Sequence, residues 1–567
     1  MSIILGINGW EEQGHDASAC LLIDGNLKSF YEEERFTRKR YSFDSLPINS
    51  IAACLDKNNL TPNDIDVITM GWDMPKRYKL ANIPFPYINK ELLVKLFPKG
   101  LYEKIDYKSL PQITYVPHHM AHAASSYYAS NFNESSVLVL DGQGEDTSGF
   151  YGKAKNGKIS ISKTIPTEFS LGYFVESACV FLGLKSFDAG KLMGLAAHGT
   201  PKYALESIVL TKDGYSIEGM NIKQNAPSLD SQQPILDWWL SHFKELYPEY
   251  QVNKTAYFDK QRGKIESTLE LNTFAKDFAA SVQLTLENVV LHMVDLAVEA
   301  SGSKNVCYSG GVALNCSANG RILAEKHAEA LYIQPAANDA GVSLGAALFV
   351  QNKNNKNSDK IDGTHCYFGS TFTDKEIEQE LKRLRVSYTR EDDIAKRAAQ
   401  AIQAGKVVAW FQGEMEVGPR ALGHRSILAN PALPEMHELL NVIKSREQWR
   451  PLAPSVLEEH IYDLFEKACI SPFMLLTHNV KDKWKSKIPA IVHVDGTTRY
   501  QSVSKKTNPQ YHKLIFHFHK LTGMPIILNT SFNIGGEPIV NSPYDAVRTV
   551  FSSEVDYLAI GSFWVEK

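Results

Sequence analysis

Three times in this chain a run of apolar residues ends in a tight polar or glycine-bearing turn, and no other feature narrows its fold as much. Val137–Leu140 runs into Asp141-Gly142-Gln143-Gly144-Glu145. Val306–Tyr308 runs into Ser309-Gly310-Gly311-Val312, followed by a helical pattern from Ala313 to Glu325. Ala330–Ile333 leads through Pro335-Ala336-Ala337-Asn338-Asp339 into a small-residue helix, Gly341–Val350. Read as strand, turn and helix, these segments predict an α/β architecture. Glycines at strand ends let backbone N–H groups approach a phosphate, with a helix N-terminus behind them. No turn carries G-x-x-x-x-G-K-[ST] or a complete G-x-G-x-x-G, which argues against a P-loop nucleotide hydrolase and a Rossmann dehydrogenase.

Ahead of these segments, residues 3–7, 19–23 and 27–31 are short apolar runs separated by a polar loop, Asn8 to Asp16, and the turn Asp24-Gly25-Asn26. They predict a β-meander. Glu32 to Arg40 then passes from acids to bases within one short stretch, and its charges alone read as a solvated loop. A chain of 567 residues is too long for one hydrophobic core. The wholly polar run Gln351 to Lys360 is the clearest boundary, and Thr373 to Leu384 reads as an amphipathic helix opening a second unit. The expected division is therefore 1–350, a linker region at 351–372, and 373–567. No internal repeat of fixed period is visible.

Charge and cysteine usage bound the partners. With 60 Lys+Arg against 64 Asp+Glu the net charge is −4, which supports neither a nucleic-acid nor a membrane partner. No apolar run spans a bilayer, and Met-Ser-Ile-Ile-Leu-Gly-Ile-Asn lacks the pattern of a signal peptide. The seven scattered cysteines contain no C-x-x-C pair, so reduced thiols in a cytoplasmic protein are expected, without a disulfide framework or zinc ribbon.

Four constellations could carry chemistry. Pro117 suits a helix start, which puts His118 and His122 one turn apart on one face, where two imidazoles can hold one metal ion. His119 points elsewhere. Incidental histidines at a polar helix end are an equal alternative, and without a glutamate at the second position this is not H-E-x-x-H. Asp141 and Asp339 could complete a mixed N/O set suited to iron, manganese or zinc rather than calcium. Second, Gly413 to Arg450 holds Arg420, His424, Arg425, Lys444, Arg446 and Arg450 among apolar residues and prolines, a pattern that favours a small anionic ligand over a solvated face. Third, a strand at 525–528 feeds the stretch Asn529 to Glu537, either a polar ligand turn or an ordinary β-turn. Fourth, His15-Asp16 offers a general base or a histidine capped by its neighbour.

Taken together the motifs resemble a known family. Gly14-His15-Asp16-Ala17-Ser18-Ala19, Glu32 to Arg38, the His118 and His122 pair, Asp141-Gly142-Gln143-Gly144-Glu145, Gly190-Lys191-Leu192-Met193-Gly194-Leu195 and Gly310-Gly311-Val312-Ala313-Leu314-Asn315 resemble the NodU/CmcH-type O-carbamoyltransferases. So do Val417-Gly418-Pro419-Arg420-Ala421-Leu422-Gly423, Arg450-Pro451-Leu452-Ala453-Pro454-Ser455 and Leu528-Asn529-Thr530-Ser531-Phe532-Asn533, all in family order. Within the family, Leu5-Gly6-Ile7-Asn8-Gly9-Trp10 and Ala196-Ala197-His198-Gly199-Thr200 are nearest to the tobramycin-modifying members. The resemblance implies an α/β, Kae1-like domain of actin/sugar-kinase/Hsp70 type followed by an α+β, YrdC-like domain. The second would make carbamoyladenylate from carbamoyl phosphate and ATP, with Mg2+ accompanying the ATP. The first would pass the carbamoyl group to a hydroxyl of a small-molecule alcohol acceptor, such as an aminoglycoside or another sugar-containing antibiotic.

Carried over by motif, His118, His122, Asp141 and Asp339 would hold a divalent metal, Fe2+ in the tobramycin-modifying enzyme, with Mn2+ or Zn2+ as alternatives. His15 would be the base. Arg420, Lys444, Arg450, Arg499, Asn529 and Ser531 would bind carbamoyl phosphate and ATP, and Gly310, Gly311 and Asn315 the adenylate. Arg40 stands where the tobramycin-modifying enzyme has a lysine, and His424 where the family commonly has glutamine. Residues 215–265 match nothing convincingly and leave the acceptor open, while a homo-oligomer is compatible with everything above. Three rivals remain: a tRNA threonylcarbamoyl-transfer enzyme, disfavoured by the net charge; a hydrogenase-maturation relative, disfavoured by the missing C-x-x-C fingers; and a non-enzymatic ATP-gated module on the same fold.

Overall fold

A computed structural model describes residues 2–87, 89–106, 110–222, 232–252, 254–259, 264–269, 271–354 and 360–567. The chain forms two compact units. The first comprises Met1–Thr37, Tyr41–Asp259 and Lys264–Gly363; the second takes in Thr364–Lys567 and the short segment Arg38–Arg40.

The first unit contains two five-stranded sheets of one topology. Strands β1 (Ile3–Asn8), β2 (Ser18–Ile23) and β3 (Asn26–Glu32) form the expected meander, and β4 (Val67–Met70) and β5 (Gln112–Tyr115) add to the other edge of β1, in the order β3-β2-β1-β4-β5. Then β6 (Glu134–Leu140), β7 (Thr147–Lys155) and β8 (Lys158–Pro166) repeat the meander, and β9 (Asn305–Ser309) and β10 (Ala330–Ile333) complete the order β8-β7-β6-β9-β10. In both sheets the first three strands pair antiparallel and the last two join in parallel. A fold can repeat its topology while keeping only the binary pattern in common, so the duplication leaves no fixed period in the sequence.

Each sheet is followed by a small-residue helix. Helix α1 (His118–Tyr127) follows β5, and nine of its ten residues are buried. Beyond it, α2 (Leu171–Phe181), α3 (Thr273–Ser301) and α4 (Cys316–Ala324) lead to α5 (Val342–Asn354), which follows β10. Buried on every side, α1 uses alanine and serine where a surface helix would alternate polar and apolar faces. At Gly345 of α5 a Cβ would stand 1.7 Å from the carbonyl oxygen of Ala121, so the two backbones touch there only because the side chain is absent. That contact fixes the start of α1 beside the turn preceding α5.

Several expectations need correction. The turn after β6 leads into the antiparallel strand β7, not a helix, because Thr147–Lys155 pairs along its length with β6 and β8. The charged run after β3 is not a solvated loop. Glu33 is 1% exposed and accepts from the backbone N–H groups of Asn49 (3.2 Å) and Ser50 (2.8 Å), capping the helix Ile48–Lys57, while Arg35, also buried, pairs with Glu32 at 3.0 Å. The strand expected at 525–528 continues through Ser531. Helix α5 extends into the polar run expected to be linker, through Asn354; residues 355–359 lie outside the described residues. So do 223–231, 253 and 260–263 of the stretch linked to acceptor choice.

The second unit is built on an eight-stranded mixed sheet: β11 (Tyr388–Arg390), β12 (Val408–Phe411), β13 (Arg425–Ala429), β14 (Ala453–Leu457), β15 (Gln501–Val503), β16 (Ile526–Ser531), β17 (Tyr557–Ile560) and β18 (Phe563–Glu566). They lie in the order β11-β18-β17-β12-β13-β16-β14-β15. Both faces are covered, which is why β12 reads as unbroken apolar sequence. Val408 and Trp410 pack with helices Ile394–Gln403 and Pro509–Thr522; Ala409 and Phe411 face Asp374–Arg383, Glu435–Ile443 and Pro543–Phe551.

Candidate functional site

In the first unit the ends of β6 and β9, the start of α1 and the turn before α5 converge. His118 and His122 project from the first turns of α1, Asp141 follows β6, and Asp339 opens the turn Asp339–Gly341 ahead of α5. One donor atom from each of the four lies within 4.8 Å of every other, and all four residues are buried. The Nε2 atom of His118 is 3.2 Å from Asp141 Oδ2 and 3.5 Å from Asp339 Oδ1; that of His122 is 3.4 and 3.5 Å from the same two oxygens.

The surroundings orient His118. Its Nδ1–H donates to the Gly71 carbonyl at 3.0 Å, which leaves Nε2 facing the carboxylates. The Trp72 ring stacks on the imidazole at 3.8 Å. The Glu145 carboxylate accepts the backbone N–H of His118 (3.0 Å) and of Asp73 (2.7 Å), meeting a need of the exposed donors at the start of α1. On the opposite side, Gly311 donates its N–H to Asp141 Oδ1 at 2.7 Å. This is possible because Gly310, at φ 93°, lets the chain pass where a Cβ would sit 2.2 Å from the Leu140 carbonyl oxygen.

Two buried carboxylates without a full cation beside them are costly, and the charges respond. Burial alone would favour neutral acids and neutral rings, but the imidazoles hold Asp141 and Asp339 well below the usual carboxylate range. The carboxylates in turn overcome burial to raise His118 to about 10. Two imidazole nitrogens and two carboxylates around one point are the donor set of a divalent transition metal, and these residues fit one. Among the described residues this is the one such group.

His119, expected to point away, is also buried here. Its Nδ1 lies 2.9 Å from the Thr147 hydroxyl, and its Nε2, 3.8 Å from Asp141 Oδ2, has no hydrogen-bond partner. Burial and the neighbouring histidines push it down to about 3, so it stays neutral. Spacing along a helix could not reveal it, because contact is made through β7.

His15 sits in the loop between β1 and β2, with Nδ1 3.1 Å from Asp16 and Nε2 3.8 Å from Asp339, and 32% of its side chain is exposed. Burial lowers its pKa, but Asp339 and Asp16 outweigh this and raise it to about 9. Glu176 of α2 has its pKa raised to about 7, chiefly by burial, with His15 opposing. The loops here are strained: Gln13, Asp16, Tyr41, Ser42 and Asp44 all have left-handed φ between 41° and 65°. Each costs on the order of 1–3 kcal/mol, a type of strain that clusters at functional sites.

The remaining residues expected to hold adenylate have structural partners. Asn315 accepts the Ala318 N–H at the start of α4 and exchanges amide hydrogen bonds with Gln283 at 2.9 Å in each direction.

In the second unit, Lys444 is buried and its Nζ donates to Ser531 O (2.6 Å), Ser531 Oγ (2.9 Å), Asn533 Oδ1 (2.6 Å) and Asn533 O (3.1 Å). Burial, then Arg446, Arg450 and Arg40, hold its pKa well below the usual lysine range. Burial and Arg450 push Arg446 down to about 9; Glu447 opposes and Arg499 adds to the push. Arg446, Arg450 and Arg40 thus oppose a charge on Lys444, and Arg450 and Arg499 oppose that on Arg446, while Glu447 lies 3.9 Å from Arg450. Arg425 has a different task, its guanidinium stacked 3.6 Å from the Phe411 ring centroid and donating to carbonyls of Gln412 and Ser370. Asn529 is 1% exposed within β16 and donates to Ser455 Oγ and the Ala421 carbonyl. Arg420 is half-buried in the loop between β12 and β13.

Two family models match the chain, carbamoyltransferase N-terminus over residues 4–348 and carbamoyltransferase C-terminus over residues 399–567. The chain belongs to the carbamoyltransferase family, and the protein is a carbamoyltransferase. It is 35% identical to the uncharacterized protein sll1178 of Synechocystis sp., over 100% of this chain and 97% of that protein. It is also 35% identical to nodulation protein NolNO of Sinorhizobium fredii, over 98% of this chain and 79% of the relative. Among solved structures, component A of the Acidaminococcus fermentans (R)-2-hydroxyglutaryl-CoA dehydratase aligns with 62% of this chain and 99% of its own, at 16% identity and a TM-score of 0.34. No described helix is long and apolar enough to cross a membrane.

Proposed function

We propose that this carbamoyltransferase is ATP-dependent and works in two stages, with 1–350 and 373–567 as its two domains. In the second unit water cleaves carbamoyl phosphate to carbamate and phosphate, and the carbamate oxygen then displaces pyrophosphate from the α-phosphorus of ATP to give carbamoyladenylate. The first unit passes that group to an alcohol of a sugar-containing small molecule, an aminoglycoside being one candidate, and releases AMP.

The basic group of Arg446, Arg450 and Arg40 around Lys444, with Arg499 beside Arg446, carries the reading. A basic cluster of this kind gains by binding a polyanion, and the phosphates of carbamoyl phosphate and ATP carry the complementary charge. Arginine forks suit those phosphates, while Lys444 fixes Ser531 and Asn533 beside them.

In the first unit His118, His122, Asp141 and Asp339 would hold a divalent metal, with iron the candidate taken from the family resemblance. When bound, the metal would supply Lewis-acid stabilisation of negative charge on the adenylate. Gly311 and Glu145 hold Asp141 and the start of α1 in place for it. His15 accepts the proton of the acceptor hydroxyl through its Nε2, while Asp16 holds Nδ1 and so sets the tautomer. A charge-compensating cation between Asp141 and Asp339 would remove much of what raises the His15 pKa, freeing it to act as a base.

The test is incubation of the purified chain with ATP, carbamoyl phosphate, Mg2+, Fe2+ and tobramycin, following AMP, pyrophosphate and product mass. A gain of one carbamoyl group supports both stages and the acceptor class. AMP and pyrophosphate without it support the first stage alone. No AMP would defeat the two-stage reading.

A further inference from the structure

The His15 imidazole and three aromatic rings form one cluster. Phe187 lies 5.2 Å from the imidazole and Phe43 lies 6.4 Å from it; Phe43 and Phe187 are 5.0 Å apart, edge to face, with Tyr41 at 5.5 and 5.0 Å from the two. Phe43 is nevertheless 48% exposed. A single exposed apolar residue needs no explanation, but this one belongs to a packed group that includes the exposed histidine.

The backbone is arranged to present it. Of the four residues 41–44, Tyr41, Ser42 and Asp44 are left-handed, and Phe43 stands between the last two. Three separate segments are tied together to hold it. Asp16 donates its N–H to the Tyr41 carbonyl at 2.6 Å, Asp44 to the Gly14 carbonyl at 2.8 Å, and the Tyr41 hydroxyl to the Phe187 carbonyl at 3.2 Å. Strain and cross-linking of this kind would be superfluous in a loop that only closed the fold.

The chemistry beside the rings selects the occupant. An aromatic face attracts an apolar surface with partial positive charge at its hydrogens, and His15 calls for a hydroxyl at its edge. The carboxylate of Asp16, 3.1 Å from His15 Nδ1 within this cluster, would repel a phosphate. A cyclic sugar meets these conditions, with one face of C–H groups, hydroxyls around its rim and no negative charge. An open-chain polyol has the hydroxyls but no such face.

We propose that Phe43, Phe187 and Tyr41 form a shelf on which the alcohol acceptor stacks the C–H face of a sugar ring, presenting a ring hydroxyl to His15. The inference rests on the carbamoyl-transfer role given to His15 above and names the acceptor class for it. Phe43 sets acceptor specificity through binding, with no part in moving protons.

Saturation-transfer NMR on the full chain, with methyl β-D-glucopyranoside and sorbitol as probes, tests the shelf without need of turnover. The expected result is saturation of the ring C–H protons of the glucoside, at least fivefold weaker in Phe43→Ala, retained in Phe43→Trp, and absent for sorbitol throughout. Equal signals from wild type and Phe43→Ala, equal signals from both probes, or no signal from the glucoside would overturn it. Because Phe43 is half exposed, unchanged circular dichroism is expected in the variants; if Phe43→Ala is unfolded, Phe187→Leu supplies the comparison. Hydroxylamine trapping of the carbamoyl group by wild-type enzyme is a separate check. Glucoside binding without trapped carbamoyl group would sink the transfer reading and leave a sugar site; trapping without glucoside binding would sink the shelf.

Discussion

The Nε2 atoms of His118 and His122 face each other at 3.2 Å, and Asp141 Oδ2 lies within 3.4 Å of both. Two nitrogens in that position either share protons with the carboxylates or share a cation with them, and the second arrangement satisfies all four groups at once. His118→Ala removes one donor and the ring stacked on Trp72. Bound metal should fall below a tenth of wild type and carbamoyl transfer with it, while AMP and pyrophosphate still form. Metal retained at full occupancy, measured by elemental mass spectrometry, would contradict the ligand assignment.

On the proposed two-stage reading, adenylate formation would depend on the basic group of the second unit. Arg450→Ala and Arg446→Ala would each remove a proposed phosphate partner and relieve the burden on Lys444, so the folded protein should lose little stability. Removal of a charge-assisted contact made in a buried site costs roughly 2–4 kcal/mol, or about 30- to 1,000-fold in rate. Pyrophosphate release is the readout, and a wild-type rate in both variants would take these arginines out of the site. Metal content should not change.

His15→Asn keeps a polar group beside Asp16 but cannot accept a proton. Transfer should slow by about 100-fold or more, the usual size of general-base catalysis, and activated carbamoyl should accumulate for capture by hydroxylamine. Product formed at the ordinary rate by this variant would remove His15 from the proton transfer.

How much of this was legible in the sequence depended on how far each contact reached. The His118 and His122 spacing is local, so the pair could be read directly from a helix period. Asp141 and Asp339 could be named as strand-end acids, and the structure puts both against that pair. The role of Glu33 was hidden because its partners, Asn49 and Ser50, lie in the next helix, and a run of charges looks the same whether it caps a helix or faces water. His119 was misjudged for a similar reason: Thr147, its partner, belongs to the next sheet. Asn315 caps a helix and pairs with Gln283, contacts across the chain that its motif alone does not reveal. The repeated five-strand topology left no trace because duplication constrained direction and burial, not residue identity.

Gly345 carries the contact that brings the two halves of the metal-competent group together. A Cβ at that position would stand 1.7 Å from the Ala121 carbonyl oxygen, a backbone atom that cannot turn aside, so Gly345→Ala must push α5 from α1. Overpacking of this kind costs about 1–3 kcal/mol, and more where only backbone can yield. Gly190, in the helix Ala189–Ala196 with nothing within 4 Å of its Cβ position, is the control. Gly190→Ala should leave urea unfolding unchanged or slightly strengthen the protein, while Gly345→Ala should lower the midpoint and weaken metal binding. Equal effects from the two would show that the helix contact is not tight.

His478 makes the second unit sensitive to acid. Its ring is 7% exposed, stacks near Tyr500 at 5.0 Å and lies 3.7 Å from the Cys469 sulfur; burial, opposed by a backbone contact at Glu466, lowers its pKa to about 4. In the unfolded chain an ordinary histidine titrates near 6.5. Between those two values the unfolded chain carries a proton that the folded one refuses, so stability falls as the pH drops from about 6.5 toward about 4 and is unaffected above that window. The slope contributed by this one ring approaches about 1.4 kcal/mol per pH unit inside the window. His478→Gln keeps a polar side chain of similar length but does not titrate, so its unfolding free energy relative to wild type should rise by about 2–3 kcal/mol between pH 7 and pH 4. Urea unfolding of both proteins, followed by tryptophan fluorescence across that range, measures the difference, and parallel pH profiles would mean that the buried ring is protonated in the folded protein.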